Sequence, residues 1–156
     1  MELLIAKWLH IISATLLFGT GLGSAFYKWR ADKTNDLHAI AITNRNVVLA
    51  DWLFTTPTVI LQPATGLWLV SFQGYPLSTP WIVLSIILFV VAGACWLPVV
   101  YLQIKMRDIA QECGITNSPL PQQYHQLKTL WFWLGVPAFT AIIVVFALMV
   151  GKPAIL

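Results

Sequence analysis

His10 is the residue of this chain with the clearest potential for chemistry, because it is the one histidine inside an apolar segment. The other two histidines, His38 and His125, lie in polar segments. A neutral imidazole in a helical bundle can be an axial ligand of haem iron, a proton carrier or an ordinary hydrogen-bonding partner. The apolar segments offer no second histidine. Haem at His10 would therefore be five-coordinate or take a sixth ligand of another type.

Polar side chains recur at helical spacing along the second apolar segment. Steps of 4, 3, 4 and 3 residues place them on one helix face: Asp51, Thr55, Thr58, Gln62 and Thr65. Buried polar groups are costly in hydrocarbon, so this face either forms interhelical hydrogen bonds or lines a functional cavity. In the second case Asp51, Thr55 and Thr58 would form a proton path. Gln62, directly before Pro63, could also bond to backbone groups that this proline frees.

The first apolar segment has a similar face and three glycines. Steps of 3, 4, 3 and 4 residues align the side chains of His10, Ser13, Leu17, Thr20 and Ser24. Gly19, Gly21 and Gly23 follow His10, and the first and last of them form a GxxxG pattern, which allows another helix to approach closely. We expect this contact within the chain, beside a cofactor, although a homodimer would use the same pattern.

Three windows without Asp, Glu, Lys or Arg define the elements that position these residues. They have 20, 53 and 23 residues and cover 8–27, 52–104 and 129–151. About 20 apolar residues cross a bilayer as a helix, and a helix on a soluble surface needs a polar face. The turn-rich stretch 73–80 divides the middle window in two. The sequence therefore predicts transmembrane helices at about 3–27, 47–72, 80–104 and 129–150.

Length and composition fit a single transmembrane domain over residues 1–156. The chain has a mass of 17.4 kDa, and 58% of its residues are hydrophobic. The predicted fold class is all-α, an antiparallel four-helix membrane bundle. Cys95 and Cys113 form no CxxC pattern, so neither a zinc site nor a disulfide framework is indicated.

The basic residues predict the orientation of the bundle. Seven of the nine lie in the first and third loops: Lys28, Arg30, Lys33, Arg45, Lys105, Arg107 and Lys128. The positive-inside rule places these loops in the cytoplasm, and both termini and the 73–80 hairpin outside. The basic pI thus reflects topology rather than nucleic-acid binding. In this antiparallel arrangement His10 lies about 10 Å from its outer helix end, at 1.5 Å per residue, level with Gln62 and Thr65.

Local patterns resemble known bacterial membrane families. The chain looks like a group of four-helix proteins described only as predicted integral membrane proteins. The stretch Lys7-Trp8-Leu9-His10-Ile11-Ile12 and the proline-led stretch from Pro57 to Leu69 resemble the small bacterial membrane protoporphyrinogen IX oxidase. They resemble, more loosely, copper-resistance membrane proteins of the CopD type. That oxidase family also relies on a lysine in a later helix, whereas here no lysine lies between Lys33 and Lys105. The resemblance therefore implies a haem role for His10 but not the oxidase activity.

These observations predict a multi-pass protein of the bacterial inner membrane that binds haem b or is linked to redox chemistry. His10 would be the axial ligand, with Gly19, Gly21, Gly23, Gln62 and Thr65 around the cofactor. A redox partner or a second copy would accompany it, and no pattern identifies a catalytic residue or a nucleic-acid partner. The alternative is a cofactor-free small transporter, ion-handling subunit or membrane assembly partner, in which the polar faces form a pathway or hold the helices together.

Overall fold

Four long apolar helical rods make up the computed structural model, which describes residues 1–153. The α-helices are α1 (Glu2–Thr34), α2 (Leu37–Ala50), α3 (Thr56–Gln73), α4 (Pro80–Thr116) and α5 (Gln122–Gly151). A π-helical turn, Asp51–Thr55, joins α2 to α3, so that Leu37–Gln73 crosses as one rod. All four rods are long and apolar enough to span a membrane. The predicted all-α, four-helix membrane bundle is therefore confirmed.

The helices extend well beyond the apolar segments at the end of the bundle that carries most basic residues. α1 continues to Thr34, and α4 continues to Thr116. Hydropathy detects only the lipid-facing length, whereas these extensions are amphipathic and pack on each other. Their buried apolar cluster includes Ile40, Met106 and Tyr124. Asp36 starts α2 by accepting hydrogen bonds from two backbone N–H groups of its first turn.

The π-helical turn has a local cause in the sequence. The Thr56 N–H bonds to the Asp51 carbonyl, five residues back, and the Thr56 hydroxyl donates to the same oxygen at 2.9 Å. Pro57 has no N–H, and its ring would crowd the carbonyl of Leu53 in a regular α-helix. A wider turn relieves that crowding, and such turns are frequent at functional sites.

The bundle is open on one side. The second rod packs against both α1 and α4, and α4 packs along α5, but α1 and α5 have few close backbone approaches. Phe18 bridges this gap, with its ring centroid 5.6 Å from that of Phe139 and 5.5 Å from that of Phe146, both in edge-on geometry. We call the gap the α1–α5 cleft.

The two ends of the bundle differ in their polar residues. Lys152, after α5, places its Nζ atom over the rings of Tyr75 and Trp81, at 5.6 and 6.0 Å from their centroids. The C-terminal end of α5 therefore lies beside the 73–80 hairpin, as an up-and-down bundle requires. The basic loops lie at the opposite end. That this opposite end is cytoplasmic stays a prediction from the positive-inside rule.

Candidate functional site

The His10 imidazole is held against the second rod by two hydrogen-bonding partners. Its Nδ1 lies 2.9 Å from the Thr65 hydroxyl, and its Nε2 lies 3.2 Å from the Gln62 amide nitrogen. The prediction that these two residues lie at the depth of His10 is confirmed. Gln62 thus bonds to the histidine, rather than to backbone groups freed by Pro63.

The surrounding hydrogen bonds assign the tautomer of His10. The Thr65 hydroxyl donates its proton to the Leu61 carbonyl at 2.7 Å, so towards His10 it acts as an acceptor. Nδ1 therefore carries the proton, and the Nε2 lone pair accepts from the Gln62 amide. The other amide atom, Gln62 Oε1, is buried and has no partner among residues 1–153. The unprotonated Nε2 of His10 therefore faces the Gln62 amide, which is fixed by its nitrogen but not by its oxygen.

A cavity of about 430 Å³ borders His10 on the α1–α5 cleft, and we call it the His10 cavity. Its walls include Gln62 and Gly19 on one side, and Phe146 and Met149 of α5 on the other. An imidazole and a thioether therefore line the same space. These are the two ligand types that hold haem in cytochromes with histidine–methionine coordination.

Gly66 lets the imidazole approach the second rod closely. A Cβ atom on Gly66 would lie 3.2 Å from His10 Cε1, closer than side chains normally pack. The close contact expected at Gly19 and Gly23 does not form, since a Cβ on either would meet nothing within 4 Å in the described chain. Gly21 does allow a close approach, because its Cβ would lie 3.1 Å from the Phe139 ring.

Asp51 belongs to a second polar group, which is buried between three rods. Its Oδ1 accepts from the Thr55 hydroxyl at 2.9 Å, and its Oδ2 accepts from the Gln103 side-chain amide. With that amide orientation, the Gln103 oxygen accepts from Trp131 Nε1 at 3.2 Å. Thr58, by contrast, donates to backbone carbonyls of its own helix. Of the three residues predicted as a proton path, Asp51 and Thr55 are joined by a hydrogen bond between side chains, whereas Thr58 reaches Thr55 through its backbone carbonyl alone.

A second cavity, of about 390 Å³, lies next to this polar group. It extends between α1, the π-helical turn, α4 and α5, and we call it the Trp96 cavity. The Trp96 indole nitrogen is buried and has no hydrogen-bond acceptor among residues 1–153. Sequence reasoning missed Trp96 and Gln103, because both lie on α4, where polar side chains are too few to form a continuous face.

Lys28 was expected to mark a cytoplasmic loop, yet its side chain is 0% exposed. Its Nζ donates to Asn44 Oδ1 at 2.7 Å and to the Tyr124 hydroxyl at 2.9 Å, and it lies 3.6 Å from Asp32. Tyr124 in turn donates to Asp32 at 2.7 Å. Lys128 approaches the same carboxylate at 3.9 Å. The sequence does contain one indication of this contact. Lys28 and Asp32 are four residues apart, a spacing that places opposite charges next to each other on one helix face.

Comparison with known proteins gives the family of the chain. Residues 4–153 match the family described as "Predicted integral membrane protein (DUF2269)", and the chain belongs to that family. Searches of curated proteins and of solved structures gave no match. The resemblance to the oxidase and to the CopD type stays a prediction. Among residues 1–153, no group of three or more His, Cys, Asp or Glu side chains could hold a metal ion.

Proposed function

We propose that this integral membrane protein binds haem b in the His10 cavity and takes part in electron transfer in the bacterial inner membrane. One observation carries the proposal. The Nδ1 proton of His10 is held by Thr65, which leaves the Nε2 lone pair to the Gln62 amide, and His10, Gln62 and Met149 all line one cavity. Haem-ligating histidines usually donate their second nitrogen in this way, which fixes the ring and strengthens the ligand.

The residues present fit this cofactor. His10 from α1 and Met149 from α5 would hold the iron, since the apolar segments contain no second histidine. Gln62 would have to release His10 Nε2, and because its own Oε1 has no partner within the described residues, it has fewer hydrogen bonds to lose. Without a CxxC pattern there is no covalent attachment motif, as expected for haem b. Haem, when bound, supplies one-electron transfer.

The test is the absorption spectrum of protein purified in mild detergent after expression with ample haem supply. We expect a Soret band that His10→Ala abolishes and that the matched variant His38→Ala, at an exposed histidine, leaves unchanged. Met149→Leu should retain haem but shift the band, because a side chain that would hold the iron is lost. The absence of a Soret band from the wild type would reject the proposal. It would favour the cofactor-free transporter, ion-handling subunit or assembly partner.

Asp51 offers a test of the proton path within this proposal. It is buried beneath the Trp96 cavity and joined to Thr55, so it could exchange protons in step with a redox change. In that case the midpoint potential of the bound haem should vary with pH, and should vary less in Asp51→Asn. Equal pH dependence in both proteins would restrict Asp51 to its structural bond with Gln103.

A further inference from the structure

Asp51 is a buried carboxylate without a counter-ion in the described part of the chain. The residue is 5% exposed, and it forms no ion pair among residues 1–153. Lys28, at the end of the apolar part of α1, pairs with Asp32 instead. Both oxygens of Asp51 accept hydrogen bonds from side chains, which is the arrangement of an ionised carboxylate. A buried charge of this kind is costly unless a charge of opposite sign accompanies it.

The Trp96 cavity provides space for that opposite charge. Its volume of about 390 Å³ lies within the range of small-molecule sites. Gly93 and Gly135 line it, and a Cβ atom on either would meet nothing within 4 Å in the described chain. One wall of the cavity is the whole polar group around the carboxylate, namely Asp51, Thr55, Gln103 and Trp131.

The other walls of the cavity are mainly apolar and aromatic. They include the rings of Phe18, Phe89 and Phe139. The faces of such rings are electron-rich and attract cations, above all quaternary ammonium groups. A quaternary nitrogen donates no hydrogen bond, so it suits a site whose carboxylate oxygens already have donors. An anionic or uncharged occupant would leave the charge of Asp51 without compensation.

The cavity also borders the lipid-facing surface of the bundle. Phe132 and Val136 of α5 line it, yet they are 53% and 42% exposed on the outer surface. In a membrane that surface is covered by lipid. An occupant that enters through this thin wall must carry its charge on an apolar body.

We propose that the Trp96 cavity binds a lipophilic organic cation with a quaternary nitrogen, whose charge is balanced by Asp51. The proposal concerns binding alone. It goes beyond haem binding at His10 and does not depend on it, because the two cavities are separate spaces, although Phe18 borders both.

The first test removes the negative charge and compares two probes. N-hexylpyridinium carries a quaternary nitrogen, and hexylbenzene has the same ring size and tail without the charge. Binding is measured by equilibrium dialysis of protein in mild detergent against protein-free micelles. Asp51→Asn keeps the shape of the side chain. We expect it to weaken binding of N-hexylpyridinium about tenfold or more, and to change binding of hexylbenzene less than about twofold, because only the cation loses an electrostatic partner.

The matched control is Asp108→Asn, which removes the same charge at a residue that lines neither cavity. The Asp108 side chain is 54% exposed, and this variant should bind both probes like the wild type. Failure of the wild type to bind N-hexylpyridinium would overturn the proposal. Equal weakening of both probes by Asp51→Asn would also overturn it, since the carboxylate would then shape the cavity without selecting a cation.

The second test fills the cavity and leaves Asp51 unchanged. Gly93→Leu should fold, because the position is open, while its side chain occupies the binding space. We expect about tenfold weaker binding of N-hexylpyridinium or more, because the leucine takes the volume that the probe needs. Gly23→Leu, at an equally open glycine outside both cavities, should bind like the wild type. Unchanged binding by Gly93→Leu would place the cation elsewhere and refute the proposal.

The Soret band keeps this outcome distinct from the fate of the haem proposal. Asp51→Asn and Gly93→Leu leave His10 and Met149 in place, and neither altered residue lines the His10 cavity. Loss of cation binding with an unchanged Soret band is the expected result. A protein without a Soret band that still binds N-hexylpyridinium through Asp51 would reject the haem proposal and support this one.

Discussion

Tyr124→Phe removes one oxygen atom from the centre of the buried polar network at the predicted cytoplasmic end. The Tyr124 side chain is fully buried. Its hydroxyl accepts from Lys28 Nζ at 2.9 Å and from Asn44 Nδ2 at 2.9 Å, and it donates to Asp32 Oδ1 at 2.7 Å. The substitution thus deletes three hydrogen bonds, two of them to charged groups, without changing the ring that packs in the core.

The expected cost follows from what each partner keeps. Asn44 Nδ2 still donates to the Ile40 carbonyl at 2.8 Å, and Lys28 keeps the Asn44 oxygen and the nearby charge of Asp32. Asp32 loses its shortest hydrogen bond but retains both lysines as counter-charges. Hydrogen bonds to charged groups contribute roughly 1.5–3 kcal/mol, and partial retention lowers the total. We expect the free energy of unfolding to fall by about 2–4 kcal/mol.

The measurement is reversible unfolding in mixed detergent micelles, with helicity as the readout. The matched control is Tyr101→Phe, because Tyr101 is 60% exposed and its hydroxyl makes no hydrogen bond within the described residues. That control should change stability by less than about 0.5 kcal/mol, as surface substitutions usually do. If Tyr124→Phe is as stable as Tyr101→Phe, the network does not stabilise this end of the bundle and our reasoning fails.

Two further predictions concern orientation and the histidine pocket. A cysteine replacing Ser78 in the 73–80 hairpin should react with an impermeant thiol reagent added from outside, whereas a cysteine replacing Asn117 should not. The reverse labelling pattern would show that the predicted orientation is wrong. Gly66→Ala should lower the free energy of unfolding by about 1–2 kcal/mol relative to Gly135→Ala, because its methyl group crowds the His10 ring whereas that of position 135 meets open space. Equal stability of the two alanine variants, in the same unfolding assay, would show that the imidazole is loosely held.

The fold could be predicted because a chain of this composition can cross the hydrocarbon of a membrane in only a few kinds of structure. A window without charge must cross the membrane as a helix, so the number and order of the rods follow from three windows and one hairpin. Because the helices cross the membrane in opposite directions, the hydrogen-bonding partners of His10 could be predicted as well. In an antiparallel pair, distance from the helix end fixes depth, and an equal depth predicts Gln62 and Thr65 as the partners that the structure shows.

The rest of the site depended on side-chain packing, which hydropathy does not encode. Lys28 follows directly after an apolar window, where a lysine normally reaches water, and its burial depends on acceptors from Asn44 and Tyr124 far along the chain. Gln103 is one polar residue in an apolar helix, and only the structure shows that it reaches Asp51. Such contacts bring together three rods, so no single periodic pattern contains them.

The open side of the bundle has a physical explanation that also bears on function. In water, a gap between α1 and α5 would close, because apolar walls attract each other through the hydrophobic effect. In lipid that drive is absent, and acyl chains can cover the walls as well as another helix does. Apolar surface that faces lipid in the cleft therefore costs little free energy, whereas unpaired polar atoms there cost much more. His10 and Gln62 border one cavity and Trp96 borders the other, and among residues 1–153 Gln62 Oε1 and Trp96 Nε1 have no hydrogen-bond partner. Polar groups retained where apolar ones would pack as well are the strongest reason to look for ligands in this cleft.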